Sequence, residues 1–290
     1  MQFDLSQLRT LSAVVEQGTL DAAAATLHVT PSAVSQRLRA LETAAGRVLL
    51  VRSKPARPTA AGEAVLRLAR QVALLEADTA AELAGEDAGP AALGVAVNAD
   101  SLATWFLPAL APLAGEVAVR LHREDEANTA RLLRAGTVVA AITVDPAPVA
   151  GCAVTALGAM RYRPMAAPGF AARWFPDGPA PEALAIAPMM VFDRDDAMQH
   201  DYLATRAPGA DPPQTMVPSS PDFVAAIGLG LGWGMVADLQ RPSGPELVEL
   251  EPGAETDVTL HLQRWRLRTP SLDRLADAIV AGARERLVPA

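Results

Sequence analysis

Leu27-His28-Val29-Thr30-Pro31-Ser32-Ala33-Val34-Ser35-Gln36-Arg37-Leu38-Arg39-Ala40-Leu41-Glu42 is the stretch on which the fold turns. Thr30 before Pro31 pairs a capping hydroxyl with a proline at the first helical position, which predicts a helix from Pro31 to about Ala45, closed by Gly46. Val34, Leu38 and Leu41 fall at i, i+4 and i+7 and should face a core. Ser32, Ser35, Gln36 and Arg39 fall on the other side. Short hydroxyls, an amide and a guanidinium suit hydrogen bonding to base edges and phosphates, although such a face taken alone is more often simply solvated.

The flanking residues shift that balance. Upstream, Asp4 can cap a helix with Leu5, Leu8, Leu11 and Val15 on its apolar side, Gly18 suits its stop, and Thr19 can cap a second, alanine-rich helix from Leu20 to Leu27. Two helices separated by three residues make a helix-turn-helix. Downstream, Leu49-Leu50-Val51-Arg52 reads as a short strand, and Ser53 to Pro58, with two prolines, Lys54 and Arg57, as the tip of a wing. Between Thr30 and Ala60 lie Arg37, Arg39, Arg47, Arg52, Lys54 and Arg57 against Glu42 alone, in a chain whose net charge is -8. A basic island on an acidic protein points to a polyanion at one end only.

These segments resemble LysR-type transcriptional regulators. The resemblance rests on Leu27 to Glu42, on Leu49 to Arg52 and on the following Thr59-Ala60-Ala61-Gly62, and the order of the later segments fits the same family. Asn98-Ala99-Asp100-Ser101-Leu102-Ala103-Thr104-Trp105-Phe106 is similar to the branch of that family, LysG or ArgP, that controls export of basic amino acids. The resemblance implies an N-terminal all-α winged helix-turn-helix, a long linker helix, and a C-terminal α/β effector domain of two lobes with a periplasmic-binding-protein-like form. It implies DNA contacts from Thr30, Ser32, Ser35, Gln36, Arg37, Arg39, Arg52, Lys54, Arg57 and Thr59. It implies no enzyme activity and no cofactor, but an effector that is lysine, arginine or histidine and control of an amino acid exporter gene. The expected partners are double-stranded promoter DNA, further copies of the chain in a homodimer or homotetramer, and RNA polymerase.

With 290 residues, half of them hydrophobic, the chain suits two or three domains. The single cysteine, Cys152, excludes an internal disulfide and reads as a small buried apolar residue. Met1-Gln2-Phe3-Asp4 lacks the features of a secretion signal. The longest apolar run, Phe223 to Ala237, is 15 residues and too short to span a bilayer, so a soluble, cytoplasmic protein without membrane contact is expected.

Thr59 can cap a helix reaching Leu83, in which Val65, Leu68, Val72 and Leu75 repeat as a heptad seam suited to pairing with a second subunit, or else to packing on its own domain. Gly85 to Pro90 reads as a hinge. After it, strands (92–97, 116–122, 138–144, 186–192, 215–218, 234–236, 258–266) alternate with helices (101–114, 126–135, 197–206, 222–229, 272–287), which predicts a mainly parallel sheet. The expected division is 1–60 for the DNA-binding head, 61–90 for linker and hinge, and 91–290 for the effector domain. Lobe I would take 91–160 with 267–290 and lobe II 161–266, with chain crossings near Tyr162 and Trp265.

A ligand would sit between the lobes, at strand ends and helix starts. Asn98, Asp100, Ser101 and Thr104 follow the first strand, Thr143 and Asp145 end the third, and Ser219 to Phe223 form another strand-to-helix junction. Each could equally be an ordinary cap. A basic amino acid needs carboxylates, for which Asp100, Glu124, Asp125, Asp145, Asp193, Asp195 and Asp222 are candidates. Trp105, Phe192 and Phe223 could wall its aliphatic stem, or serve the core. The glycine-rich Gly228 to Gly234 has Trp233 where a dinucleotide fingerprint needs glycine, and reads as a helix stop with close backbone packing. His28, His122, His200 and His261 show no metal-ligand spacing. Two other functions compete: a regulator answering to another metabolite or to none, and an amino-acid-binding protein on the same scaffold.

Overall fold

The computed structural model describes residues 2–51, 53–84, 92–124, 126–243 and 246–289. Arg52, Asp125 and the expected hinge Gly85 to Pro90 lie outside them. Helix α1 (Leu5–Gln17) begins where the Asp4 carboxylate accepts the Ser6 and Gln7 amides and ends at Gly18, left-handed at φ 75°. Helix α2 (Leu20–Thr26) is capped by Thr19, and α3 (Pro31–Ala45) by Thr30, each hydroxyl accepting an N–H three residues on at 3.2 Å. Leu8, Leu11, Val14, Ala23, Ala24, Val34, Leu38 and Leu41 close into one core with Leu49, Leu50 and Ala56. Leu5, expected on the apolar side, is exposed.

Strands β1 (Leu50–Val51) and β2 (Arg57–Pro58) pair antiparallel as the wing. The Ala56 amide donates to the Gly18 carbonyl at 2.8 Å, tying the wing to the end of α1. Helix α4 (Ala60–Ala84) then leaves the head. Its face is not the single seam the heptad predicts. Val65 belongs to the head core and Val72 packs against it, while Leu68 and Leu75 are exposed. Leu66 and Ala69 join the head core, and Leu74 is buried on the effector side. The heptad missed this because α4 has two intramolecular neighbours, each claiming a stripe.

Beyond it run β3 (Ala92–Val97) and α5 (Ala99–Ser101), which passes through a π-helical turn, Leu102–Phe106, into α6 (Leu107–Leu110) and a 3₁₀ turn, Ala111–Leu113. One regular helix was expected here. Pro108 has no N–H for the Thr104 carbonyl, and the preceding turn widens. Next come β4 (Ala118–Arg123), α7 (Glu126–Ala135) and β5 (Ala140–Thr143). The second half holds β6 (Cys152–Ala166), α8 (Pro168–Trp174), α9 (Pro181–Leu184), β7 (Met189–Val191), α10 (Met198–Arg206), β8 (Gln214–Met216) and α11 (Ser220–Gly228). It continues with β9 (Gly234–Ala237), a 3₁₀ turn Asp238–Ser243, β10 (Val248–Glu249), β11 (Thr256–Trp265) and α12 (Pro270–Arg286).

The large sheet runs β10-β6-β11-β5-β3-β4, with β9 also on β6. It is mixed rather than mainly parallel. Only β3 with β4 and β3 with β5 pair parallel within it, and β11 lies antiparallel to both β5 and β6. The reason is β6, a long strand whose first half the sequence reading left without an element. β6 and β11 pair from Cys152 with Trp265 to Tyr162 with Thr256, and so belong to both halves of the sheet. Their register shifts between Leu260 and His261, beside Gly158 at φ 129°, whose Cβ would lie 2.8 Å from the Val288 carbonyl. On β11 the stretch Val258 to Leu260 lies opposite Met160 to Gly158, and Trp265 sits at the far end against Gly136. Tyr162 pairs with both Thr256 and Ala237. Gly228 ends α11, and a Cβ at Gly234 would meet the Phe223 ring at 2.9 Å, so the glycine run serves close packing.

Candidate functional sites

On the head, the apolar stripe of α3 is buried and the opposite side is open. Ser32, Gln36 and Arg39 are exposed, as are Lys54 and Arg57 on the wing. Ser35 and Arg37 are half-buried, and Ser35 lines a depression walled by Gly18, Asp21, Lys54 and Val51. The island's one acid, Glu42, is tied down: its carboxylate accepts the Leu49 amide at 2.9 Å. This leaves the outer face cationic. Two expected contacts have structural duties. Thr59 donates to the Val48 carbonyl at 2.8 Å and accepts the Gly62 amide at 3.0 Å, which caps α4 and spends its hydroxyl. The Thr30 hydroxyl accepts the Ala33 amide.

In the effector region the structure draws together four side chains, two of them, Asp100 and Ser220, from the expected strand-to-helix junctions. Asp100 projects from the first turn after β3. Its carboxylate accepts the Tyr162 hydroxyl at 2.8 Å and the Gln240 amide at 3.2 Å. The same Gln240 amide donates to the Ser220 hydroxyl at 2.8 Å, and its oxygen accepts the Ala237 N–H at 2.8 Å. Thus a helix start in the first half, the crossing strand β6 and the 3₁₀ turn after β9 meet on one carboxylate. Arg123 adds a second bridge, donating to the Pro218 carbonyl at 3.2 Å.

The electrostatics are one-sided. Burial pushes the Asp100 carboxyl above the usual carboxylate range against the hydrogen bonds from Ser220 and Tyr162, and the negative charge of Asp196 pushes the same way. Burial and the Asp100 charge hold the Tyr162 phenol well above its ordinary value, so it stays neutral and donates. Asp196 accepts the Phe192 amide at 2.9 Å and the Met198 amide at 3.1 Å, and the Gln199 amide, turned to donate, reaches both its oxygens at 2.9 and 3.0 Å. Among the described residues neither Asp100 nor Asp196 forms an ion pair. The Asp196 charge acts on both Asp100 and Tyr162, and with no cation among the described residues this region favours one.

The other expected effector contacts are spread out. Ser101 is buried, its hydroxyl 3.7 Å from the Met160 sulfur, and Thr104 donates back to the Asp100 carbonyl at 2.6 Å. Asn98 makes no capping bond, and its buried Oδ1 has no partner. Trp105 is core, edge-on to Phe106, and Phe223 with Phe192 packs around Met190 and Val236. Thr143 is buried and accepts the Asp145 amide at 3.1 Å; Asp145 itself is exposed and accepts the Ala147 amide. Asp193 and Asp222 are spent on local turns, accepting from the Asp195 amide and the Ser219 hydroxyl. Glu124 is half-buried, its amide donating to the Val97 carbonyl at 3.3 Å. Asp196, Tyr162 and Gln240 are not among the expected contacts, whereas Ser220 lies in the expected Ser219 to Phe223 junction. Of the acids at 193–196, Asp196 is the one whose charge acts on Asp100 and Tyr162, and its one local signal is its place two residues before α10 begins, where an acid accepts a first-turn N–H. Cys152 is buried and its thiol is pushed up by desolvation, as an inert core cysteine should be.

A winged helix with a cationic outer face, joined by a long helix to an α/β region that buries the Asp100 carboxylate without a cation, defines a DNA-reading head coupled to a small-molecule sensor. The chain belongs to the LysR family of bacterial regulatory helix-turn-helix proteins: that family's helix-turn-helix model matches residues 5–63, and the LysR substrate binding domain matches residues 84–284. It is 43% identical to the HTH-type transcriptional regulator LysG of Mycobacterium tuberculosis, over 97% of this chain and 94% of that protein. Its structure is similar to the crystal structure of ArgP from Mycobacterium tuberculosis, with TM-score 0.91 and 42% identity over the whole of both chains. It is similar too to full-length LysG from Corynebacterium glutamicum with its effector Arg bound, with TM-score 0.84 and 39% identity over 99% of this chain and 100% of that one. These relatives are regulators, not enzymes. No described helix is long and apolar enough to cross a membrane.

Proposed function

We propose that this chain is a cytoplasmic transcriptional regulator that senses a basic amino acid and controls an amino acid exporter gene. The observation that carries the reading is the buried Asp100 carboxylate, on which Tyr162 and Gln240 converge: neither it nor Asp196, whose charge acts on it, has a cation among the described residues. The side-chain cation of arginine, lysine or histidine supplies what they lack. The Arg bound to the Corynebacterium LysG supports the same chemistry. Lobe I (91–160 with 267–290) and lobe II (161–266) would close on it around β6 and β11. Ligand binding then favours the closed arrangement by its differential affinity.

On the DNA side, Ser32, Ser35, Gln36 and Arg39 reach base edges, and Arg37, Lys54, Arg57 and Arg52 the phosphates. A homodimer, formed through the exposed Leu68 and Leu75 of α4 and itself able to pair into a tetramer, sets two heads on one duplex, within reach of RNA polymerase. The test combines thermal unfolding with footprinting on DNA upstream of the chain's own gene. L-arginine, L-lysine or L-histidine should raise Tm, by about 2.7 kcal/mol of stability at a hundred times Kd, and change the footprint. Norleucine, which keeps the α-ammonium and an aliphatic stem but has no side-chain cation, should do neither. A shift with norleucine and none with the basic amino acids overturns the reading.

A further inference from the structure

Helix α4 is held on two sides. Arg70, Leu74 and Asp78, four residues apart, form one stripe toward the effector region. The Arg70 guanidinium donates to the Ala135 carbonyl at 2.9 Å and to the Thr137 hydroxyl at 3.2 Å, at the C-terminal end of α7. Leu74 is buried in the effector core. Asp78 accepts the Ser271 hydroxyl at 2.8 Å and its amide at 3.3 Å, at the start of α12. A cation thus sits at the negative end of one helix dipole and an anion at the positive end of another, about 12 Å apart along α4. Contacts of opposite sign at two points fix both the rotation and the translation of α4 on the lobe.

The other side of α4 holds the head. Leu66 and Ala69 lie in the head core, and Arg9 of α1 pairs with Glu76 at 3.0 Å. Arg70 serves both sides, since its second nitrogen lies 3.9 Å from the Glu16 carboxylate at the end of α1. Its side chain is only 18% exposed, and burial pulls the guanidinium below its usual range while Glu16 pulls it back. Gly136, left-handed at φ 74°, lets the backbones approach: a Cβ there would meet the Arg67 Cα and the Trp265 ring, each at 3.2 Å. Trp265 ends β11, a strand that comes directly from the lobe junction.

We propose that Arg70 is a positioning residue that couples the effector lobes to the reading head, by holding the end of α7 and the end of α1 on one guanidinium. The proposal rests on the regulator reading above. Removing Arg70 leaves both binding sites intact and cuts the communication between them. The measurement is the ratio of L-arginine Kd with and without the upstream DNA fragment, on the full-length protein. Linkage requires the same ratio for DNA with and without arginine, so instability alone does not mimic a change in it.

The wild type should give a ratio on the order of tenfold. Arg70→Met, which keeps the aliphatic stem, should bring it close to 1 while arginine Kd without DNA changes less than about twofold. Arg9→Met, which removes an exposed pair, should keep the wild-type ratio. Should Arg70→Met fail to fold, Arg70→Lys decides, because it keeps the charge and loses the fork that reaches two partners. An unchanged ratio in the folded Arg70 variant overturns the proposal alone. A ratio of 1 in the wild type overturns the effector reading together with it.

Discussion

Asp100 shows how one residue acquires a function its neighbours in sequence do not share. Asp100, Ser101 and Thr104 looked equivalent along the chain, yet Ser101 faces the Met160 sulfur and Thr104 bonds its own helix. Only Asp100 meets partners from distant segments, Tyr162 and Gln240. Its buried carboxyl has a raised pKa, so the folded chain binds that proton more tightly than the unfolded one. The cost of ionising it is therefore present above the raised pKa and relieved as pH falls through it. Asp100→Asn removes that cost: Tm of the ligand-free protein should rise, by about 2 °C for each kcal/mol recovered, while the stabilisation by arginine disappears. A Tm that falls instead would mean the carboxylate is already matched in the empty protein. The same sign predicts that arginine binds more weakly in the wild type as pH falls through the raised pKa of Asp100. Calorimetric titration should find that slope flattened in Asp100→Asn.

Among the elements, α4 was legible in length and capping but not in its faces. Periodicity records which residues are apolar, not which neighbour covers them. Val65 and Leu66 went to the head, Leu74 to the effector core, and Leu68 with Leu75 stayed open. Two substitutions on this helix should then behave oppositely. Leu75→Glu should lower the mass seen by sedimentation to that of a monomer with little loss of Tm. Leu66→Ala should cost about 2–5 kcal/mol of stability and leave association intact. Gly62 sets the other constraint on α4, because a Cβ there would lie 1.9 Å from the Leu49 carbonyl. Gly62→Ala should force the wing away from the helix, and its DNA affinity should fall at all sequences together.

Across the whole molecule, the two lobes meet through Gln240 and Arg123 as well as through the long strands β6 and β11. Gln240→Ala removes a bridge to Asp100, and hydrogen exchange should then rise at Asp100 and Ser220 without rising in the head. The chain order of helices, the winged head and its cationic face could all be read from residues, because caps, prolines, charges and three- to four-residue spacings act between near neighbours. The sheet's mixed direction could not be, since β6 and β11 find each other across some hundred residues and a strand's own residues do not record its partner's direction. Nor could the meeting of Asp100 with Tyr162, Gln240 and Ser220. Local chemistry along the chain thus determined a DNA-reading head and a sensor-like α/β region by itself. Which acid is buried among distant partners, and which stripe of α4 is left for a partner, was decided only by tertiary packing, because burial and electrostatic fields are set by groups far apart in sequence.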